Sequence, residues 1–346
     1  MEVKFNFNKQ GAKYQYETPA INSSGITSTS TSTSTNTSTS STKNNPANSI
    51  SYSNKTRNTA ILSEGYNALK ELEALIGLNE VKQLIKELRA YVLVQRARTK
   101  EKLTNDPMVL HMVFKGNPGT GKTTVARILG NFFKEIGILS KGHLVEVERA
   151  DLVGEYIGHT AMRARESIKK ALGGILFVDE AYSLARGGEK DFGREAIDCL
   201  VKGMEDNRDN LILILAGYKD EMEKLIRTNP GLRSRFPIHI DFPDYSLEEL
   251  VEIAEKMLIH RDYYFSIDAR MKLESILKRY IATGHAQVGN ARMVRNIVEK
   301  SIRKQAYRLV EKNTLSRDDL LIINAKDICE VIDDTLGIEN YLKKVK

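Results

Sequence analysis

Between residues 109 and 242 the chain alternates short, unbroken apolar runs with stretches in which apolar residues return every three or four positions. The runs are Val109–Lys115, His143–Val147, Gly174–Val178, Leu211–Ala216 and Ile238–Phe242. A strand covered on both faces reads as a continuous apolar run, whereas a half-solvated strand alternates. The helical period holds over Thr124–Glu135, Thr160–Leu172 and Arg194–Asp206. Such strand–helix alternation predicts an α/β fold, a parallel five-stranded sheet with helices on both faces. Residues 60–103 read as helices broken at Ile76-Gly77-Leu78. After Tyr245 only helical patterning remains, over Leu247–His260, Asp268–Thr283, Ala291–Lys312 and Ala325–Leu336.

The N-terminal pattern is different. The Ser/Thr tract from Thr27 to Thr42 has nothing apolar to bury, so ordering it would cost entropy without return. Upstream, Phe5, Phe7, Tyr14 and Tyr16 could form a small docking element, although disorder is the preferred expectation. The expected organisation is a disordered Ser/Thr-rich tail over 1–58, an α/β domain over 59–243 and a helical domain over 244–346.

Composition narrows the function classes. The chain has 346 residues, enough for two domains, and two cysteines, Cys199 and Cys329, too few for a disulfide framework. It contains no apolar stretch of membrane-spanning length, and its start lacks the apolar core of a signal peptide. The net charge is +7, but residues 1–58 hold six basic and two acidic side chains, leaving about +3 for all the rest. That distribution makes nucleic-acid binding an unfavoured expectation. The six histidines lack metal-ligand spacing, and no nucleophile–His–Asp arrangement is evident.

The densest chemical signal is Gly116-Asn117-Pro118-Gly119-Thr120-Gly121-Lys122-Thr123, followed by Thr124. It fits the phosphate-loop pattern, after a strand and before a helix. Glycines let backbone N–H groups converge on an anion at a helix N-terminus. Lys122 is expected to reach the β- and γ-phosphates, and the Thr123 hydroxyl to ligate Mg²⁺. The apolar run Ile175–Val178 ends in Asp179-Glu180, at the strand edge where open α/β sheets bind ligands. Asp179 is expected to hold Mg²⁺ and Glu180 to polarise the attacking water. The run after it ends in Ala216-Gly217-Tyr218. If that strand lies between the phosphate-loop strand and the acidic strand, Tyr218 could sense the γ-phosphate, although Asn or Thr is usual there.

Four further segments suggest a motor. Arg233 and Arg235, just before the last strand, look like an arginine finger, with Arg235 favoured. A finger works on a neighbouring subunit's nucleotide, so the enzyme would be an oligomer. Arg292, in Gly289-Asn290-Ala291-Arg292, could reach back to the nucleotide, while Arg295 one turn on reads as a structural ion-pair residue. The loop Tyr156-Ile157-Gly158 could grip an extended polypeptide by packing, and the glycine-rich loop 185–190 could line the same channel.

Together these elements resemble the AAA+ ATPases, and more narrowly the CbxX/CfqX group, over about residues 68–310. Gly289-Asn290-Ala291-Arg292, Tyr156-Ile157-Gly158-His159-Thr160-Ala161 and Asn229–Phe236 carry the narrower likeness. The resemblance implies an ATPase core with a C-terminal helical lid, ATP and Mg²⁺, and adenine contacts from around Ile76 and Gly77. It also implies a homo-oligomeric ring, usually of six subunits, that remodels a protein client, since red-type Rubisco activases belong to the group. Phe114–Ile128, Ser140–Ala161, Ala171–Gly193 and Asp241–Tyr245 read like a sporulation member, implying spore maturation in the mother-cell cytoplasm. The alternatives are a nucleic-acid-directed motor of the same superfamily and a slow nucleotide-dependent switch or scaffold.

Overall fold

The computed structural model describes residues 65–104, 109–156, 158–187, 191–282, 289–312 and 314–329. The N-terminal tail read from the sequence lies outside them. Two helices come first, α1 (Tyr66–Glu73) and α2 (Asn79–Lys100). The break between them is where the sequence places it: Gly77 and Leu78 both take left-handed conformations, φ 63° and 56°.

Five strands follow: β1 (Met112–Gly116), β2 (Leu144–Val147), β3 (Ile175–Val178), β4 (Ile212–Gly217) and β5 (Ile238–Phe242). They pair in parallel in the order β2-β3-β4-β1-β5. Strand β4 therefore lies between the phosphate-loop strand and the acidic strand, as the alternation suggested. Between strands run α3 (Lys122–Glu135), the short α4 (Arg149–Leu152), α5 (His159–Ala171), α6 (Gly193–Asp206), α7 (Lys219–Thr228) and the short α8 (Pro230–Arg235).

The side-chain alternation of each strand feeds two separate cores. Met112, Phe114, Ile175, Phe177, Ile212 and Ile214 pack under α1, α2 and α3, whereas Val113, Leu176, Val178, Leu213 and Leu215 pack against α5, α6 and α7. The three central strands are buried on both faces, which is why their sequences are continuously apolar. The edge strands depart from that rule, exposing Glu146 on β2 and His239 on β5. Phe114 meets Phe177 edge-on at 6.3 Å and Phe242 at 4.9 Å, tying three strands together. Each such ring contributes about 1.5–3 kcal/mol by burial.

The lid has its own core, built from α9 (Leu247–Ile259), α10 (Ile267–Ala282) and α11 (Asn290–Val310). Ser246 opens α9 with a reciprocal cap: its hydroxyl accepts from Glu249 N at 3.2 Å, while Ser246 N donates to the Glu249 carboxylate at 2.8 Å. Two features depart from the all-helical expectation. A short parallel ladder joins β6 (Tyr264–Phe265) to β7 (Ile322–Ile323), which follows the five-residue α12 (Arg317–Leu321). The buried Gln305 amide supports this segment by donating to the carbonyls of Asp319 and Ile322. The helix expected over Ala325–Leu336 is not formed at 325–329, which make a turn, and 330–336 lie outside the described residues. The cause is Asp327, 1% exposed, whose carboxylate accepts the Arg308 guanidinium through both oxygens and the Asn324 N–H. Those bonds fix a turn and occupy the group that would otherwise be free at a helix start.

Candidate nucleotide site

The loop after β1, the acids after β3 and the residue after β4 all emerge at the C-terminal edge of the sheet. There they line one cleft of about 380 Å³, the place where open parallel sheets bind ligands. Gly119 and Gly121 have φ of 76° and 96°, which glycine alone adopts without strain. A Cβ on Gly119 would also fall 2.2 Å from the Gly289 carbonyl at the start of the lid helix α11. Lys122 starts α3, and its Nζ donates to the carbonyls of Gly116 and Asn117, 2.8 Å each. Burial lowers its ammonium pKa from the ordinary lysine value, against the opposing pull of the Asp179 carboxylate. Thr123 directs its hydroxyl to Glu146 at 3.5 Å. Thr120 is fully buried, with its hydroxyl on the Asn117 carbonyl at 2.8 Å.

Asp179 and Glu180 both line the cleft with Lys122 and Thr123. The Asp179 N–H is held by the Val147 carbonyl at 2.9 Å, and Asp179 Oδ1 accepts the Glu180 N–H at 2.9 Å. Glu180 has φ 46°, ψ 41°, a left-handed conformation that costs a non-glycine residue about 1–3 kcal/mol. A 3₁₀ turn over Ala181–Ala185 follows directly. Tyr182 is buried there, and its hydroxyl is pushed up to about 12, first by burial and then by the Glu180 charge. Its ring lies 5.8 Å from that of Tyr218, which lines the cleft from the end of β4.

A hydroxyl and a carboxylate beside a loop suited to phosphate form an oxygen donor set that fits Mg²⁺. Among the described residues no cluster of three or more His, Cys, Asp or Glu surrounds a metal position. A magnesium ion held partly by nucleotide phosphates requires only one or two protein carboxylates.

Arg292 and Arg295 both reach the cleft from α11, exposed and without an ion pair among the described residues. For Arg295 this corrects the expectation of a structural ion pair: one turn along a helix, i to i+3 keeps the two guanidiniums on the same face. Glu148 is a further cleft residue that the motifs did not single out. Its place follows from β2, since it caps α4 just beyond the strand's end.

The other predicted residues sit elsewhere. Ile76 packs on the lid core, and Gly77 lies against Glu249 of α9; neither lines the cleft. Asn117 turns its side chain to Asp244. Arg235 donates through Nε to Glu205 at 2.5 Å and through Nη1 to the Gly231 carbonyl at 2.9 Å. Arg233 is exposed and unpaired among the described residues, and neither arginine reaches its own chain's cleft. Tyr156 is 66% exposed, its ring edge-on to His159 at 5.4 Å, and Gly158 has φ 83° with open space around it. Ile157 and residues 188–190 of the glycine-rich loop lie outside the described residues.

Comparisons with known proteins identify the family. Residues 112–244 match the family described as "ATPase family associated with various cellular activities (AAA)", and residues 246–336 match the AAA lid domain. The chain is 56% identical over 260 residues to "Stage V sporulation protein K" of Bacillus subtilis (strain 168), covering 75% of this chain and 81% of that one. It is 48% identical over 270 residues to "Protein CfxQ" of Xanthobacter flavus, covering 77% and 84%. A third relative is the chloroplastic "Ribulose bisphosphate carboxylase/oxygenase activase" of Cyanidioschyzon merolae (strain NIES-3377 / 10D), 45% identical over 257 residues, covering 73% and 87%. With both family models matched in sequence order and relatives 45–56% identical over about three quarters of the chain, the conclusion is direct: the chain belongs to the AAA ATPases, among the CbxX and CfxQ proteins, and is an ATP-hydrolysing enzyme.

Proposed function

We propose that this ATPase is a protein remodeller that works as a homo-oligomeric ring, hexameric as in the resemblance, and pulls a client polypeptide through a central pore. The observation that carries the reading is Tyr156: a large aromatic side chain, two-thirds exposed, in the segment between α4 and α5. Such a ring presents apolar area whose burial against a partner is favourable. An extended polypeptide in a pore is a surface it can cover without reading sequence.

In this reading Lys122 and the loop N–H groups hold the phosphates of ATP, with Gly116–Thr124 as cradle, and the adenine extends beyond the cleft toward Ile76 and Gly77, which do not line it. Thr123 and Asp179 hold Mg²⁺, which neutralises charge on the transferred phosphoryl group. Glu180 polarises the attacking water, and its fixed left-handed backbone keeps the carboxylate at the cleft. Tyr218 and Arg292 contact the γ-phosphate side. Arg235 is the favoured finger and Arg233 the second; either acts in a neighbouring subunit, because neither reaches its own cleft. For Arg235 the neighbour's phosphate must replace Glu205. The relative named a sporulation protein supports a role in sporulation, and the one named an activase supports action on a protein; spore maturation in the mother-cell cytoplasm and remodelling of the client are what the resemblance adds.

The test is a trap. Tagged Glu180→Gln protein, expressed in sporulating cells and captured with ATP, should retain a protein that Glu180→Gln/Tyr156→Ala protein loses. Retention of nucleic acid instead would favour a nucleic-acid motor. Capture of nothing, with Glu180→Gln still supporting the biological role, would favour a slow nucleotide switch.

A further inference from the structure

The segment joining the sheet to the lid carries polar contacts that the nucleotide chemistry does not use. Asn117, in the phosphate loop, donates through Nδ2 to both carboxylate oxygens of Asp244, at 2.9 and 3.0 Å. Asn290, the first residue of α11, donates through Nδ2 to the same Asp244 Oδ1 at 2.8 Å, and its Oδ1 accepts the Tyr245 N–H at 3.1 Å. Tyr245 in turn donates its hydroxyl to the Thr120 carbonyl at 3.2 Å. A direct backbone contact, Ala291 N to Gly119 O at 3.2 Å, lies between them. One carboxylate thus holds both the phosphate loop and the lid helix, with Oδ1 shared by Asn117 and Asn290.

We propose that Asp244 is a positioning residue that transmits occupancy of the phosphate loop to the lid. The inference rests on the nucleotide occupying that loop as set out above. The Lys122 ammonium donates to the carbonyls of Gly116 and Asn117 together. A phosphate recruits that ammonium, so Asn117 loses a backbone partner while its side chain stays on Asp244. The shift passes through Asp244 to Asn290. Asn290 is 7% exposed and sits at φ 38°, a conformation uncommon outside glycine and held here by its side-chain bonds. Two residues further is Arg292 at the cleft, so a change at Asn290 moves the guanidinium toward or away from the nucleotide. Asp244 itself is exposed, so its removal opens no core.

Hydrogen exchange on the full chain tests this, with and without a non-hydrolysable ATP analogue and Mg²⁺. In the unmodified protein the analogue slows exchange both in the phosphate loop, 119–124, and in the first turn of the lid helix, 291–295. In Asp244→Ala the loop remains protected at saturating analogue, while the lid response falls at least about tenfold. Asp244→Asn, which keeps one acceptor oxygen, gives an intermediate lid response and stands in if the alanine variant does not fold. A lid response of full size in both variants overturns the proposal. So does absence of loop protection in the unmodified protein, and that result separately marks the failure of the nucleotide assignment.

Discussion

At the scale of the residue, the site depends on a few side chains whose roles separate in kinetics. Lys122→Ala should abolish detectable ATP binding by fluorescent-nucleotide titration, because no other cation in the described cleft starts from the phosphate loop. Glu180→Gln should behave differently, retaining ATP affinity within about threefold while kcat falls about 10²–10⁴-fold, the usual worth of a general base. His111 gives a prediction in pH. It is 3% exposed, its Nδ1 accepts the Leu213 N–H at 3.0 Å, and burial holds its pKa down to about 4. The unfolded chain takes up that proton near the ordinary 6.5. Stability from the neutral imidazole is therefore full above pH 6.5, falls as pH drops from 6.5 to 4, and changes no further below that. A shift of this size corresponds to about 3 kcal/mol as an upper figure. Thermal melting between pH 7.5 and 5 should show the loss, and His111→Gln should be less stable at pH 7.5 with a flatter profile.

At the scale of the element, the interlock between phosphate loop and lid is steric as well as polar. Gly119→Ala would place a methyl group against the Gly289 carbonyl and force a left-handed backbone on alanine. ATP affinity should fall at least about tenfold, and melting should report a loss of about 1–3 kcal/mol. Much at this scale was legible in the sequence. The five strands announced themselves because both faces are covered, and even the insertion of β4 beside β1 was suggested by the run after Asp179-Glu180. The turn at 325–329 was not legible, since the Asp327–Arg308 pair that makes it joins residues 19 apart. Asp244 was missed for the same reason: its partners Asn117 and Asn290 lie 127 and 46 residues away. Local patterns report burial and loops well, and they carry no information on polar contacts made across the fold. The little ladder β6–β7 is too short, at two residues per strand, to leave any periodicity.

At the scale of the whole molecule, the expected finger lies outside the cleft of its own chain, so catalysis should depend on assembly. Subunits carrying Glu180→Gln and subunits carrying both Arg233→Ala and Arg235→Ala should each be nearly inactive alone. Mixed, they should recover a measurable fraction of ATP turnover, because a normal acidic pair can then meet a normal finger. Absence of recovery in rings shown to be mixed would argue against a finger in trans. Separating Arg233→Ala from Arg235→Ala then decides which arginine acts, the one unpaired among the described residues or the one released from Glu205.

The most direct test of the account follows both outputs of one variant. With the trapped client in hand, ATP turnover and client unfolding are measured together for the unmodified protein and for Tyr156→Ala. Gripping by the loop predicts that unfolding is lost at least about tenfold while ATP turnover stays within about threefold. Parallel loss of both, or full unfolding without the aromatic ring, would contradict it.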